Sequence, residues 1–134
     1  MIKKISIILV LILSAFIIAG CHVAQERAWK NAIETTNKKI AEDPYLSKNI
    51  ARIELERRQF VRIYINRQKA RTSFSKLTIT VGEIVGEALF ADPGNTMKEI
   101  TIFGNLVDGD ELIVCKYTKE KGISLDKDRS MLGM

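Results

Sequence analysis

Residues 5–19, ISIILVLILSAFIIA, hold thirteen apolar residues, with Ser6 and Ser14 as the polar ones, and Lys3 and Lys4 stand directly before them. No other stretch limits the chain's fate so strongly. A run of 15 residues falls short of the roughly 20 needed to cross a hydrocarbon core roughly 30 Å thick. The lysines hold their end on the cytoplasmic side while the apolar stretch enters the membrane. Positive residues, an apolar run and then small residues form the plan of a secretory signal. Residues 1–20 are therefore expected to be removed, and the folded domain to begin after them.

The run closes on Ile18-Ala19-Gly20-Cys21. These four residues resemble the lipobox of bacterial lipoproteins: an aliphatic residue, two small ones and an obligatory cysteine. The resemblance covers residues 1–21. It implies diacylglycerol transfer to the Cys21 thiol, cleavage after Gly20 and acylation of the new N-terminus. The chemistry suits the residue types, since a thiolate is the natural nucleophile for alkylation. Two or more acyl chains, each contributing about 0.8 kcal/mol per buried CH₂, make membrane residence effectively permanent. In that family an Asp after the cysteine favours retention in the inner membrane. Here His22 holds the position, which implies an outer-membrane anchor facing the periplasm.

The 134 residues, 46% hydrophobic and 28% charged, allow one ordinary globular domain after such a signal. With Cys21 acylated, Cys115 is left without a disulfide partner. It lies in the apolar run ELIVCKYT, where burial is the expected fate of a lone thiol in an oxidising compartment. The net charge of +5 is unevenly spread. Residues 22–76 carry +7 and residues 77–134 carry −4.

Residues 24–42 place Trp29, Ile33, Thr36 and Ile40 on one helical face. Asp43-Pro44 is a break, with Asp suited to cap a second helix and Pro to its first position. That second helix can run from Pro44 to about Gln68, with Leu46, Ile50, Ile53, Phe60 and Tyr64 on a face that Arg57 interrupts, and helix is favoured up to about residue 58. FVRIYIN alternates in strand fashion, so residues 60–67 are open between helix and strand. Beyond Thr72, strand-like runs cover 75–81, 84–90, 99–103 and 111–118. The pair around Asp108-Gly109 has the signals of a hairpin. Gly82 and Gly86 suit a bend in a long curved strand. Residues 77–118 are faintly similar to an oligonucleotide/oligosaccharide-binding barrel, without a diagnostic motif.

The expected fold is α+β: N-terminal amphipathic helices packed on a small antiparallel β-sheet or partial barrel. The expected organisation is a lipoprotein signal peptide at 1–20, a lipid anchor and helical segment at 21–71, an antiparallel β segment of the same domain at 72–118, and a polar tail at 119–134.

His22 is the single histidine, so a Ser-His-Asp or Cys-His system cannot be built away from the anchor. No Cys/His cluster has metal spacing, and no Gly-rich phosphate cradle is present. Asp108-Gly109-Asp110-Glu111 lacks the ligand ladder of a calcium loop. Ser73-Phe74-Ser75-Lys76 has the S-x-x-K spacing of penicillin-recognising enzymes but lacks their S-D-N and K-T-G elements. No enzyme activity, metal or cofactor is expected. The charge concentration at Arg57, Arg58, Arg62, Arg67, Lys69 and Arg71 suits contact with an anionic surface, lipid headgroups or an acidic partner. Nucleic acid is not an expected partner for an exported, tethered domain. The leading functional expectation is a binding or assembly component of the envelope with a protein partner, such as part of a secretion or transfer machine. The alternative is a small β-domain binding an envelope glycan or lipid headgroup.

Overall fold

Asp43 and Pro44 set the first boundary, as the sequence predicts. Helix α1 (Ile2–Glu42) stops there, and α2 (Pro44–Asn49) starts with Asp43 Oδ1 accepting from the amides of Tyr45 and Leu46. The computed structural model describes the backbone of residues 2–109 and 111–126, with side chains except those of 2–21, Arg71, Glu111 and Leu112.

After α2 the chain departs from the expected long helix. Strands β1 (Ile50–Glu56) and β2 (Phe60–Ile65) form an antiparallel hairpin instead. Ile50 and Ile53 fit helical spacing, yet alternation wins. Val61, Ile63 and Ile65 are fully buried while Phe60, Arg62 and Tyr64 face the other way. Residues 60–65 are thus strand, and Leu46, Ile50 and Phe60 belong to three different elements.

The second correction is larger. Residues expected as a curved strand form helix α3 (Arg71–Ala91). Its buried positions are Phe74, Leu77, Thr78, Val81, Val85 and Leu89, the stripe of a 3.6-residue period. The β-branched content of LTITVGEIV suggests strand, but tertiary burial overrides so weak a propensity. Gly82 and Gly86 are not bends. They lie on the buried face of α3, where a Cβ on Gly82 would come 2.7 Å from Cδ1 of Ile123 and one on Gly86 would strike the Tyr117 ring.

Strands β3 (Glu99–Leu106), β4 (Glu111–Thr118) and β5 (Gly122–Leu125) complete a five-stranded sheet in the order β1-β2-β3-β4-β5. The β3–β4 hairpin around Asp108-Gly109 is the predicted one. β5 occupies part of the segment expected as a polar tail. Its Ile123 reaches α3 beside Gly82, and Ser124 pairs with Lys116. β2 and β3 run parallel, which requires a crossover connection, and α3 supplies it. The fold is therefore α+β, with helices on a mostly antiparallel but mixed sheet that stays open, β1 and β5 being its edges. It is not a barrel, and the similarity to the oligonucleotide/oligosaccharide-binding fold ends with α3.

α3 covers one sheet face, and α1 packs along α3 and reaches β1. Val61 pairs with Ile102 and Ile102 with Cys115, so the three strands present one apolar row to α3. Ala28, Trp29 and Ala32 of α1 are buried, and Thr36 Oγ1 donates to the carbonyl of Ala32 at 2.7 Å. Ile33 is half-buried. Ile100, Ile102 and Val114 are buried as the hairpin reading requires. The Leu112 side chain lies outside the described residues.

Candidate functional site

Gly20 and Cys21 lie on α1, and the description of their side chains lies outside the structure's described residues. From His22 onward the helix is tied to the domain. Arg58, in the β1–β2 turn, donates from Nη1 to Nε2 of His22 at 2.7 Å and pairs through Nη2 with Glu26 Oε1 at 2.6 Å. A guanidinium has donors only, so the imidazole nitrogen accepts. On the opposite flank Gln25 Oε1 accepts from the hydroxyl of Thr96 at 2.8 Å, and Gln25 Nε2 donates to Asn95 at 3.0 Å. Two turns distant in sequence thus grip the helix within two turns of Cys21.

The β1–β2 turn itself is unusual. Arg57 and Arg58 have φ of 51° and 59°. They are the central residues of the β-turn Glu56–Gln59, which Gln59 closes by donating its N–H to the Glu56 carbonyl at 3.2 Å, and a turn with positive φ at both central positions favours Asn-Gly. A non-glycine residue in that region costs free energy. Both side chains are exposed.

The strand register carries this turn into a larger arrangement. Glu56 pairs with Phe60, Phe60 with Thr101, Glu99 with Thr118 and Thr118 with Gly122. The end of β1, the starts of β2 and β3, the end of β4 and the start of β5 therefore form one rim. At about 4.8 Å per strand this rim is roughly 19 Å wide. α1 enters at the same end, because Gln25 meets Asn95 and Thr96 just before β3. The rim displays Arg57, Arg58, Lys98, Lys119 and Lys121, all exposed. A cleft of about 630 Å³ opens there between Phe90, Met97, Lys98, Thr118 and Lys119–Lys121.

The six basic residues expected to form one anionic-surface contact are not brought together. Arg57 and Arg58 are on this rim. Arg62 lies mid-strand on the face away from α3, where it donates to Glu56 at 2.8 and 3.1 Å and to Asn105 at 2.8 Å and stacks over Phe103. The hydrogen bond and charge of Arg62 hold the Glu56 carboxyl below the usual carboxylate range despite some desolvation. Arg67 is at the opposite rim, 3.7 Å from Asp108. Lys69 follows β2 at that same end. Arg71 opens α3, and its side chain is outside the described residues. Lys98, Lys119 and Lys121 went unnoticed in the sequence because no run of charge marks them.

A second groove of about 370 Å³, lined by Trp29, Ile33 and Leu55 and edged by Lys30 and Arg58, runs between α1 and β1. The buried indole N–H of Trp29 meets no acceptor among the described residues. Cys115 is buried as expected, and burial, with a smaller effect from Asp126, pushes its thiol up to about 11. Ser73 and Lys76 fall in the first two turns of α3. Among the described residues no group of three His, Cys, Asp or Glu side chains could hold a metal ion, and no helix is long and apolar enough to cross a membrane.

No family model, no curated protein and no solved structure matches the chain.

Proposed function

We propose that the chain is a bacterial lipoprotein, acylated at Cys21 after cleavage behind Gly20, whose domain acts in the envelope by binding or assembly and not by catalysis. The observation that carries this reading is the coincidence of Lys3-Lys4, the apolar run and Ile18-Ala19-Gly20-Cys21 in the first 21 residues. The proposed location is the outer membrane, facing the periplasm, by the family rule for His22. The proposed role is an accessory component of an envelope machine, such as a secretion or transfer system, with a protein partner. The fold agrees in one respect. Packing of Ala28, Trp29 and Ala32 couples the helix behind Cys21 directly to the core, a geometry that holds a tethered domain close to its membrane.

A second reading, a β-domain that binds an envelope glycan or lipid headgroup, is favoured by the lysine-lined cleft at the rim. Crosslinking in intact cells followed by affinity purification separates the two. A stoichiometric protein partner supports assembly. Purified chain that captures no protein yet binds envelope glycan or headgroup supports the second reading.

A further inference from the structure

We propose that the rim formed by Arg57, Arg58, Lys98, Lys119 and Lys121 docks on anionic phospholipid headgroups of the bilayer that carries the Cys21 anchor; the inference rests on the anchor reading above. The first support is position. His22 follows Cys21 directly, with about 3.8 Å between their Cα atoms, and Arg58 lies 2.7 Å from His22 Nε2. The Arg58 guanidinium is therefore held within roughly one Debye length, about 8–10 Å, of an anchor that sits at the interface.

The second support is charge. Among the described residues of this rim, Glu26, Glu56 and Glu99 face Arg58, Arg62 and Lys116, which leaves Asp92 and Glu120 against the four cations Arg57, Lys98, Lys119 and Lys121. Among the described residues the opposite rim is balanced instead: Arg67 pairs with Asp108, and Lys48 and Lys69 accompany Glu42 and Asp43. The domain is thus electrically polarised along its strands, with its positive end at the anchor. An anionic leaflet attracts basic residues near its surface and loses that hold beyond a Debye length.

The third support is backbone cost. The chain places two arginines, both at positive φ, where Asn-Gly would be relaxed. Neither the exposed ion pair to Glu26 nor the turn itself requires Arg57, whose side chain points to solvent. Strain retained at an exposed, doubly charged tip indicates use of the charge. At the other end of the rim the cleft of about 630 Å³, lined by three lysines, Glu120, Phe90 and Met97, falls in the ~300–1,000 Å³ range of small-ligand sites. It offers cations to a phosphodiester and apolar walls to its glycerol carbons.

The test uses the full chain, purified from membranes and reconstituted into phosphatidylcholine vesicles with or without about 30 mol% phosphatidylglycerol. Amide hydrogen exchange is followed at 57–59, at 118–122 and, as reference, at 66–69. The expected result is about tenfold slower exchange at the two rim turns in the anionic vesicles, unchanged exchange at 66–69, and loss of the difference at 1 M salt. The variants Arg57→Asn/Arg58→Gly and Lys98→Gln/Lys119→Gln/Lys121→Gln should each reduce the difference without lowering the melting temperature. Equal exchange in both vesicle types, or a difference untouched by both variants, overturns the proposal. Protection that appears only when envelope proteins are added assigns the rim to a protein and also overturns it. Incorporation of a fatty-acid analogue reports on the anchor separately. Labelled chain with equal exchange removes the rim alone, and unlabelled chain removes the anchor while the vesicle comparison still decides the rim.

Discussion

Arg58 Nη2 lies 2.6 Å from Glu26 Oε1 and so ties the tip of the β1–β2 hairpin to helix α1, five residues beyond Cys21. Both side chains are largely exposed, 60% and 44%, so the pair contributes about 0–1 kcal/mol. Its importance is geometric. It places the β1–β2 tip against the α1 turn that follows Cys21.

The positive φ of Arg57 and Arg58 makes the turn a place where removing charge should strengthen the fold. Arg57→Asn/Arg58→Gly suits a turn with φ > 0 at both central positions. Relief of about 1 kcal/mol or more per residue should outweigh the weak ion pair. The expected net gain is about 1–2 kcal/mol in chemical denaturation. A loss of stability would show that the arginines are needed structurally.

Gly86 should behave as a packing position and not as a strand bend. Alanine raises helix propensity by about 1 kcal/mol, but its methyl would strike the Tyr117 ring, which is itself packed on Phe90 at 5.2 Å between centroids. Overpacking costs about 1–3 kcal/mol. Gly86→Ala should therefore destabilise, and more than Gly82→Ala, whose nearest obstacle is the mobile end of Ile123. Melting temperatures of the two variants check this. Stabilisation by Gly86→Ala would contradict the helix–sheet contact.

Cys115 should be silent to thiol reagents at pH 8 in the native state and reactive in denaturant, since it is fully buried and its thiol is raised to about 11. The raised value also sets a direction for stability. The folded state holds the proton that the unfolded state releases near 9, so this contribution is intact below pH 9 and is lost as pH climbs toward 11. Tyr117, raised by burial and then by Glu87 and Glu83, acts in the same direction. Cys115→Ala should flatten the fall in melting temperature between pH 9 and 11. An unchanged pH profile would show that the thiol does not titrate with unfolding.

What could be read in the sequence was local. The Asp43-Pro44 cap, the Trp29 face and the β3–β4 hairpin each carry their signal within a few residues. What could not be read was decided by distant partners. The Phe74–Leu89 stripe has helical spacing, but Thr78, Ile79, Thr80 and Val81 outweighed it until the sheet gave that stripe something to cover. Ile50 and Ile53 fit a helix as well as a strand, and pairing with Ile65 and Ile63 settled them. The lysines of the rim come from the turns before β3 and after β4. They meet Arg57 and Arg58 only through the parallel β2–β3 register, which nothing local announces. The proposed anchor signal is the opposite case, since the whole of that reading rests on 21 consecutive residues.

The central claim is acylation at Cys21, and intact-mass spectrometry of the chain purified from a bacterial host's membranes tests it most directly. The account predicts a chain that begins at Cys21 and carries the added mass of a diacylglyceryl group and an N-acyl chain. Cys21→Ser should leave residues 1–20 in place and add no lipid mass. A wild-type chain of unmodified mass, or acylation that survives Cys21→Ser, would contradict it.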